Sequence, residues 1–181
     1  MSDVAPVLRR EGTTRAGRSF RIRPSRDTDA PELAALIDAV AAEGEFIVAV
    51  PGEPDTIEQS ARLVSIVLEG GLSLSLEIEG ALAGNLMVHR RAGRHYAHVA
   101  EIAILVDNAH RREGFGRTLM EMGIGWSRAV GVAKVSLQVF PDNAGAIALY
   151  RSLGFSEEGV ARGEVRMPGG DRDLLLMALR L

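Results

Sequence analysis

The chain has 181 residues, a formal net charge of −3 and no cysteine, so it is long enough for one domain with one sizeable core. Disulfides, thiolate metal sites and cysteine nucleophiles are excluded, and the scattered arginines do not make the basic block of a general nucleic-acid binder. No apolar run reaches membrane-span length and the start lacks the apolar core of a signal peptide, so no membrane partner is expected and the expected location is the cytoplasm.

Met1 to Ser19 mixes Pro, Gly, Thr and four arginines without periodicity, and reads as a flexible N-terminal tail before a domain spanning residues 20–181. Phe20 to Arg23 alternates as a first strand. Pro31 suits the opening of a helix capped near Asp29, with Leu33, Leu36, Ile37 and Val40 on its apolar face and Gly44 at its end. Asp55 or Thr56 can cap a second helix carrying Ile57, Ala61, Val64 and Leu68, closed by Gly70 and Gly71. Leu72, Leu74, Leu76 and Ile78 alternate with serine and glutamate as a half-buried strand, and Glu79-Gly80 signals a hairpin into Ala81 to His89. A long central strand is expected over Tyr96 to Val106.

A glycine-bearing loop follows, and then a third helix with Leu119, Met122, Trp126, Ala129 and Val130 on its apolar stripe. Gly123 and Gly125 inside that helix cost about 1 kcal/mol each relative to alanine, which close packing on a sheet would explain. Val135, Leu137 and Val139 alternate as a fifth strand, Asn143 caps a fourth helix over Ala144 to Leu153, and Val160 to Arg166 with Asp173 to Leu181 close the chain as a hairpin. The total is about seven strands and four helices. The order predicts an α+β (mixed α/β) fold with one sheet covered by helices.

Two stretches carry chemistry. Arg111, Gly114 and Gly116 form R-x-x-G-x-G at the opening of the third helix, where free backbone N–H groups and the positive end of the helix dipole favour phosphate. Taken alone, the motif also fits a helix entry whose glycines serve packing. Lys134 is the only lysine, so the G-x-x-x-x-G-K-S/T loop of Walker-type nucleotide sites is absent and a lysine Schiff base is nearly ruled out. The second stretch is N-x-x-A-x-x-L-Y-x-x-x-G-F on Asn143, Ala146, Leu149, Tyr150, Gly154 and Phe155.

Together the two stretches resemble the GNAT superfamily of acetyl-CoA-dependent N-acetyltransferases, and R-P-S-R-D-T-D-A near the start is similar to that family's first strand and turn. The resemblance covers Phe20 to Leu181. It implies a mostly antiparallel twisted sheet whose fourth and fifth strands splay, with acetyl-CoA as co-substrate and no metal. The pantetheine arm would pair with backbone around Ile104, Leu105 and Val106. The pyrophosphate would sit over the amides of Arg112, Glu113, Gly114, Phe115, Gly116, Arg117 and Thr118, with Arg111 and Arg112 adding charge. Asn143, Ala146 and Tyr150 would complete the cofactor site.

The resemblance further implies direct attack of an amine on the thioester, with Tyr150 as the acid for the departing thiolate and Glu101 as a base. Tyr150 also reads as a core aromatic, and Glu101 as an ordinary strand carboxylate. By strand alternation Glu101 shares a face with Ala103 and Leu105, opposite Ile102, Ile104 and Val106, and His98 falls on that opposite face unless a bulge intervenes. His98 is a second candidate base or substrate contact, or a structural histidine; His89, His95 and His110 show no metal-ligand spacing. Glu45 and Phe46 are candidate acceptor contacts.

The stretch H-V-A-E-I-A-I-L-V with G-F-S-E-E-G looks most like members acting on free amino acids or similar small amines. A protein Nα-acetyltransferase is the alternative, and a non-catalytic acyl-CoA-binding sensor the second alternative. Family members are often dimers, so a homodimer is one expected assembly.

Overall fold

A computed structural model describes residues 8–44, 46–49, 52, 58, 62–63, 65–66 and 69–181. The expected second helix lies largely outside them, including its N-cap candidates Asp55 and Thr56 and the apolar positions Ile57, Ala61, Val64 and Leu68. Of its span, Glu58, Arg62, Leu63, Ser65 and Ile66 are helical, and Leu63 and Ile66 are buried.

The other elements are strands β1 (Arg10–Thr13) and β2 (Ser19–Pro24), helix α1 (Ala30–Ala41), and strands β3 (Leu72–Ile78), β4 (Ala81–Arg90) and β5 (Val99–Val106). Helix α2 (Phe115–Ala129), strand β6 (Lys134–Val139), helix α3 (Ala144–Ser152) and strands β7 (Ser156–Met167) and β8 (Gly170–Arg180) follow. The strands form a single eight-stranded sheet in the order β1-β2-β3-β4-β5-β6-β8-β7. Every neighbouring pair is antiparallel except β5 and β6, which run parallel across the α2 crossover. The fold is thus the expected α+β sheet, with one strand more than the periodicity predicts.

The extra strand lies in the stretch read as a tail. Arg10–Thr13 pairs with Ser19–Ile22 through a turn closed by Thr14 and Arg18, so the packed part of the chain begins before Phe20. The central strand starts at Val99 rather than Tyr96, because Tyr96 and Val99 close successive turns on the carbonyls of Gly93 and Tyr96. The closing hairpin is longer than expected, and two register irregularities in β7 account for the broken alternation there.

Alternation sorts the side chains onto two faces. Leu74, Leu76, Leu86, Ile102, Val135 and Leu137 join Leu119, Met120 and Ile124 of α2 in the main core. On the opposite face Leu33 and Ile37 of α1 pack with Leu63 and with Leu105 of β5. Gly123 explains the close approach of α2: a Cβ there would lie 2.9 Å from Ile102 Cδ1 and 3.0 Å from Leu86 Cδ2. Gly125 faces open space, so the packing argument applies to one of the two glycines.

Ser73 and Ser75 were expected on a solvated face of β3, yet both are buried. A polar network covers them. Arg23 forks onto Asp29 at 2.7 and 2.8 Å and reaches Glu77 through Nε at 2.9 Å. Ser75 Oγ and the Arg26 amide donate to Asp29 Oδ2 at 2.8 and 3.0 Å, and Ser25 bonds both Ser73 and Ser75. Asp29 holds the N-cap position of α1 but does not cap its amides, because its carboxylate is committed to this network. Pro31 in the first turn leaves one amide fewer to satisfy.

Two predictions follow from these contacts. Burial by itself would raise the Asp29 carboxyl; the hydrogen bonds from Arg23, Arg26 and Ser75 outweigh it and hold the group below its usual range. Its contribution is therefore present above the ordinary aspartate pKa of about 4 and lost as pH falls through the lower folded value. Asp29→Ala leaves Arg23 buried without its fork and should cost about 3–5 kcal/mol at pH 7 in urea unfolding, with the gap to the wild type closing in that acid range. At α2, Gly125→Ala should raise stability by about 1 kcal/mol, whereas Gly123→Val should lower it by about 1–3 kcal/mol, both read from thermal unfolding.

Candidate active site

Strands β5 and β6 pair only over Val99–Glu101 and Lys134–Ser136. Beyond that β5 continues beside β4 to Val106, and β6 continues beside β8 to Val139, so the two part and leave a gap. The carbonyl of His98 accepts the amides of Ala133 and Lys134, and that of Ala100 accepts Ser136 Oγ. Backbone polar groups alternate between strand edges, so those of Ile104 and Val106 face the gap while those of Leu105 face β4. Leu105 was expected as a cofactor contact. Its backbone belongs to the β4 ladder and its side chain to the α1 core, which takes it out of the gap.

At the end of β5 the chain makes a short 3-10 turn over Asn108–His110, with Asp107 Oδ1 accepting the Ala109 amide at 3.0 Å. Arg112 then adopts φ 63 and Gly114 φ 91, both left-handed. This turns successive N–H groups toward one side and opens α2 directly on Gly114, which carries no capping side chain. Nothing lies within 4 Å of the place where a Gly114 Cβ would stand, so the approach is open. Phe115 fastens the loop from below, packing edge-on against Phe20 with centroids 5.2 Å apart. Gly116 follows in the first turn, and Arg117 bonds Ser152 Oγ at 2.6 Å, tying α2 to α3. Thr118 closes the turn by donating to the Gly114 carbonyl at 3.1 Å.

The loop has one carboxylate, Glu113. It is paired with Arg18 at 2.6 Å, and His110 Nδ1 stands 3.5 Å away, so its charge is not left facing an incoming anion. Arg112 is exposed at the loop crest. Arg111 was expected to add charge for phosphate, but its Nη atoms fork onto Glu43 at 2.5 and 2.8 Å and its Nε donates to the Val106 carbonyl at 2.9 Å.

From the core side comes α3. Asn143 Oδ1 accepts the Ala146 amide at 3.1 Å, so these two residues, expected at the cofactor, form the helix cap. Tyr150 is 8 % exposed and lies in the same apolar cluster as Leu137, Val139 and Phe155. Burial pushes its phenol up to about 12, so it stays protonated and can only give a proton at neutral pH. Among the described residues no hydrogen bond engages that hydroxyl.

Across the sheet, on the face that bears α1, a cavity of about 540 Å³ is lined by Glu101, His98, Ser136, Gln138 and Leu176. Glu101 is half-buried, as its alternation with Leu105 predicts. His98 joins it there because it precedes the strand and escapes the alternation that would place it opposite. Ser136 and Gln138 were not singled out from the sequence, although their alternation with Val135, Leu137 and Val139 marks them as the other face of β6. Lys134 at the rim is neutralised by Glu158 at 2.6 Å. Phe46 sits against Arg111, 5.7 Å from ring centroid to Cζ, and Glu45 lies outside the described residues. Among the described residues no group of acidic and histidine side chains stands close enough to hold a metal, and no helix is long and apolar enough to cross a membrane.

The site thus offers open backbone amides at a helix start, a strand edge at Ile104 that β6 does not pair, a protonated phenol on one side and a carboxylate in a cavity on the other. Comparisons with known proteins point to one family. The Escherichia coli K12 ribosomal protein bS18-alanine N-acetyltransferase is 43% identical over 76 residues, covering 42% of this chain and 51% of the relative. The L-amino acid N-acetyltransferase AaaT of the same organism is 33% identical over 105 residues, covering 56% and 63%. The chain therefore spans less than two thirds of the length of each of these two relatives. A ribosomal-protein-alanine N-acetyltransferase from Brucella melitensis superposes with a TM-score of 0.80 at 28% identity, over 88% of this chain and 99% of that one. Salmonella typhimurium yncA, solved with its cofactor acetyl-CoA, shares the fold at a TM-score of 0.81 and 24% identity, over 90% and 94%. The sequence model of the acetyltransferase (GNAT) family matches residues 36–155, about two thirds of the length, and the chain belongs to that family.

Proposed function

We propose that the protein transfers the acetyl group of acetyl-CoA to the primary amine of a small molecule such as an amino acid, by direct attack in a ternary complex. The parting of β5 from β6, with free amides at one end and Glu101 beneath, is the observation that carries this reading. The residues fit coenzyme A: the Gly114 approach is open, Glu113 is neutralised, and the Ile104 edge and the Val106 amide face the gap, the Val106 carbonyl being held by Arg111.

Bound acetyl-CoA would supply a thioester carbonyl, an electrophile that a neutral amine attacks. The amides of Arg112 to Arg117 would hold the pyrophosphate through the helix dipole, with Arg112 adding charge. Backbone groups of Ile104 and the amide of Val106 would align the arm as an added strand does. Glu101, in the cavity, would take the proton that the ammonium must lose, directly or through water, and His98 beside it would contact the acceptor. Tyr150 would give its proton to the departing thiolate. A phenol raised to about 12 suits this donation, since it is fully protonated over the working range.

The likeness to the bS18-alanine enzyme supports a second reading, in which the amine is a protein N-terminus. Thiol release from acetyl-CoA over free amino acids, polyamines, aminoglycosides and N-terminal peptides separates the two. Release with free amino acids is the expected result. Release with peptides alone would establish the second reading, and acetyl-CoA binding without release over the whole panel would make the protein a sensor.

Tyr150→Phe should lower turnover by about 10²-fold or more while leaving the acetyl-CoA Kd unchanged, and unchanged turnover would remove Tyr150 from the chemistry. Because its phenol lies near 12, the wild-type rate should show no alkaline loss from this group up to about pH 10.

A further inference from the structure

We infer that the acceptor is an amine that also carries a carboxylate, and that Arg91 and Arg180 bind this carboxylate at the closed end of the Glu101 cavity. The inference rests on the acetyltransferase reading and deepens it, by naming a charged subsite and the acceptor class that fits it.

Strand register lays the charges out in rows. Arg91, just past the end of β4, donates its amide to the Val99 carbonyl at 3.1 Å; Val99 pairs with Lys134, and Lys134 with Arg180. Three cations thus stand in one row across four strands, and all three line the cavity that holds Glu101. The next row, two residues along, is His89, Glu101, Ser136 and Ala178. Two residues of strand put the rows roughly 7 Å apart.

The cation row lacks matching acids. Lys134 is paired with Glu158 at 2.6 Å. Arg91 and Arg180 are exposed, and among the described residues neither meets a carboxylate. Glu101 is the one remaining acid of the lining, and the proposed chemistry commits it to the amine. Two guanidiniums are therefore left over in a cavity meant for a small molecule, and a cleft with such an excess of one sign favours a ligand group of the other.

Position gives the pair its use. The gap between β5 and β6 opens beyond Glu101 and Ser136, and the cation row lies on the other side of them, where the two strands are still paired. A thioester arriving along the gap would meet an amine at Glu101 from one side, so the rest of the acceptor extends toward the cations. A carboxylate there accepts the fork of a guanidinium, which presents two donors in one plane. A polyamine or an aminoglycoside would instead bring a second cation against Arg91 and Arg180. A peptide N-terminus would bring a neutral amide.

The test compares α-amino acids with their carboxamides, which keep the shape and lose the charge, in thiol release by the full-length protein. The wild type should favour the acid in kcat/KM by about tenfold or more, the scale of a lost hydrogen bond between charged groups. Arg91→Gln and Arg180→Gln should each raise the amino-acid KM about tenfold, while the carboxamide KM and the acetyl-CoA Kd stay within about twofold. Arg94→Gln removes the same charge from the same loop outside the cavity lining and should change none of the three. Equal or better use of carboxamides or polyamines by the wild type would overturn the inference. So would variants that shift acid and carboxamide together, the mark of a merely structural role, or an equal effect of Arg94→Gln, the mark of net charge alone. A wild type that releases no thiol with any acceptor would overturn the acetyltransferase reading itself, an outcome distinct from an active wild type indifferent to the carboxylate.

Discussion

The molecule depends on the short pairing of β5 with β6. Each of these strands is fully paired on its outer side, β5 along β4 and β6 along β8, and they share only three residues of ladder with each other. A sheet interior cannot leave polar backbone edges empty without cost, so the opening beyond Glu101 and Ser136 calls for a partner. An extended, amide-bearing chain is the kind of partner that would satisfy it. The phosphate-favouring start of α2 lies at the open end of the same gap because α2 is the crossover that makes β5 and β6 parallel in the first place.

Around this opening the two faces of the sheet have separate duties. The α2 and α3 face is apolar and close-packed, to the point that Gly123 has no room for a methyl group against Leu86 and Ile102. It sets a fixed wall and delivers Tyr150 in a dry setting that keeps the phenol protonated. The α1 face is polar. There the Arg23–Asp29–Glu77 network anchors the start of α1 and the Arg111–Glu43 fork anchors the segment beyond its end. Helix α1 is thus held to the sheet by charge pairs near both ends with a small apolar patch between them, an arrangement in which geometry is set by directed bonds more than by packing.

The sequence by itself determined what is local. Periodicity located all but one of the strands and the three helices whose bounds are described, since each needs only its own apolar rhythm and punctuation. The R-x-x-G-x-G loop and the Asn143 to Phe155 segment carried the family resemblance, because glycines at forced backbone positions and a helix cap are written in consecutive residues. The polar face of β6 at Ser136 and Gln138 was there to be read in the same way.

Only the tertiary structure decided the partners. Asp29 reads as a helix cap until Ser75, 46 residues on, and Arg23 claim its carboxylate. Arg111 reads as a phosphate cation until Glu43, 68 residues earlier, takes its fork. His98 reads as lying opposite Glu101 until a turn delays the strand by three residues and brings both to one cavity. Charged and hydrogen-bonding side chains have no period and no local rule that names their mates. Their roles are settled only when sheet order brings distant segments within bonding reach, and here that order also created the gap that gives them a purpose.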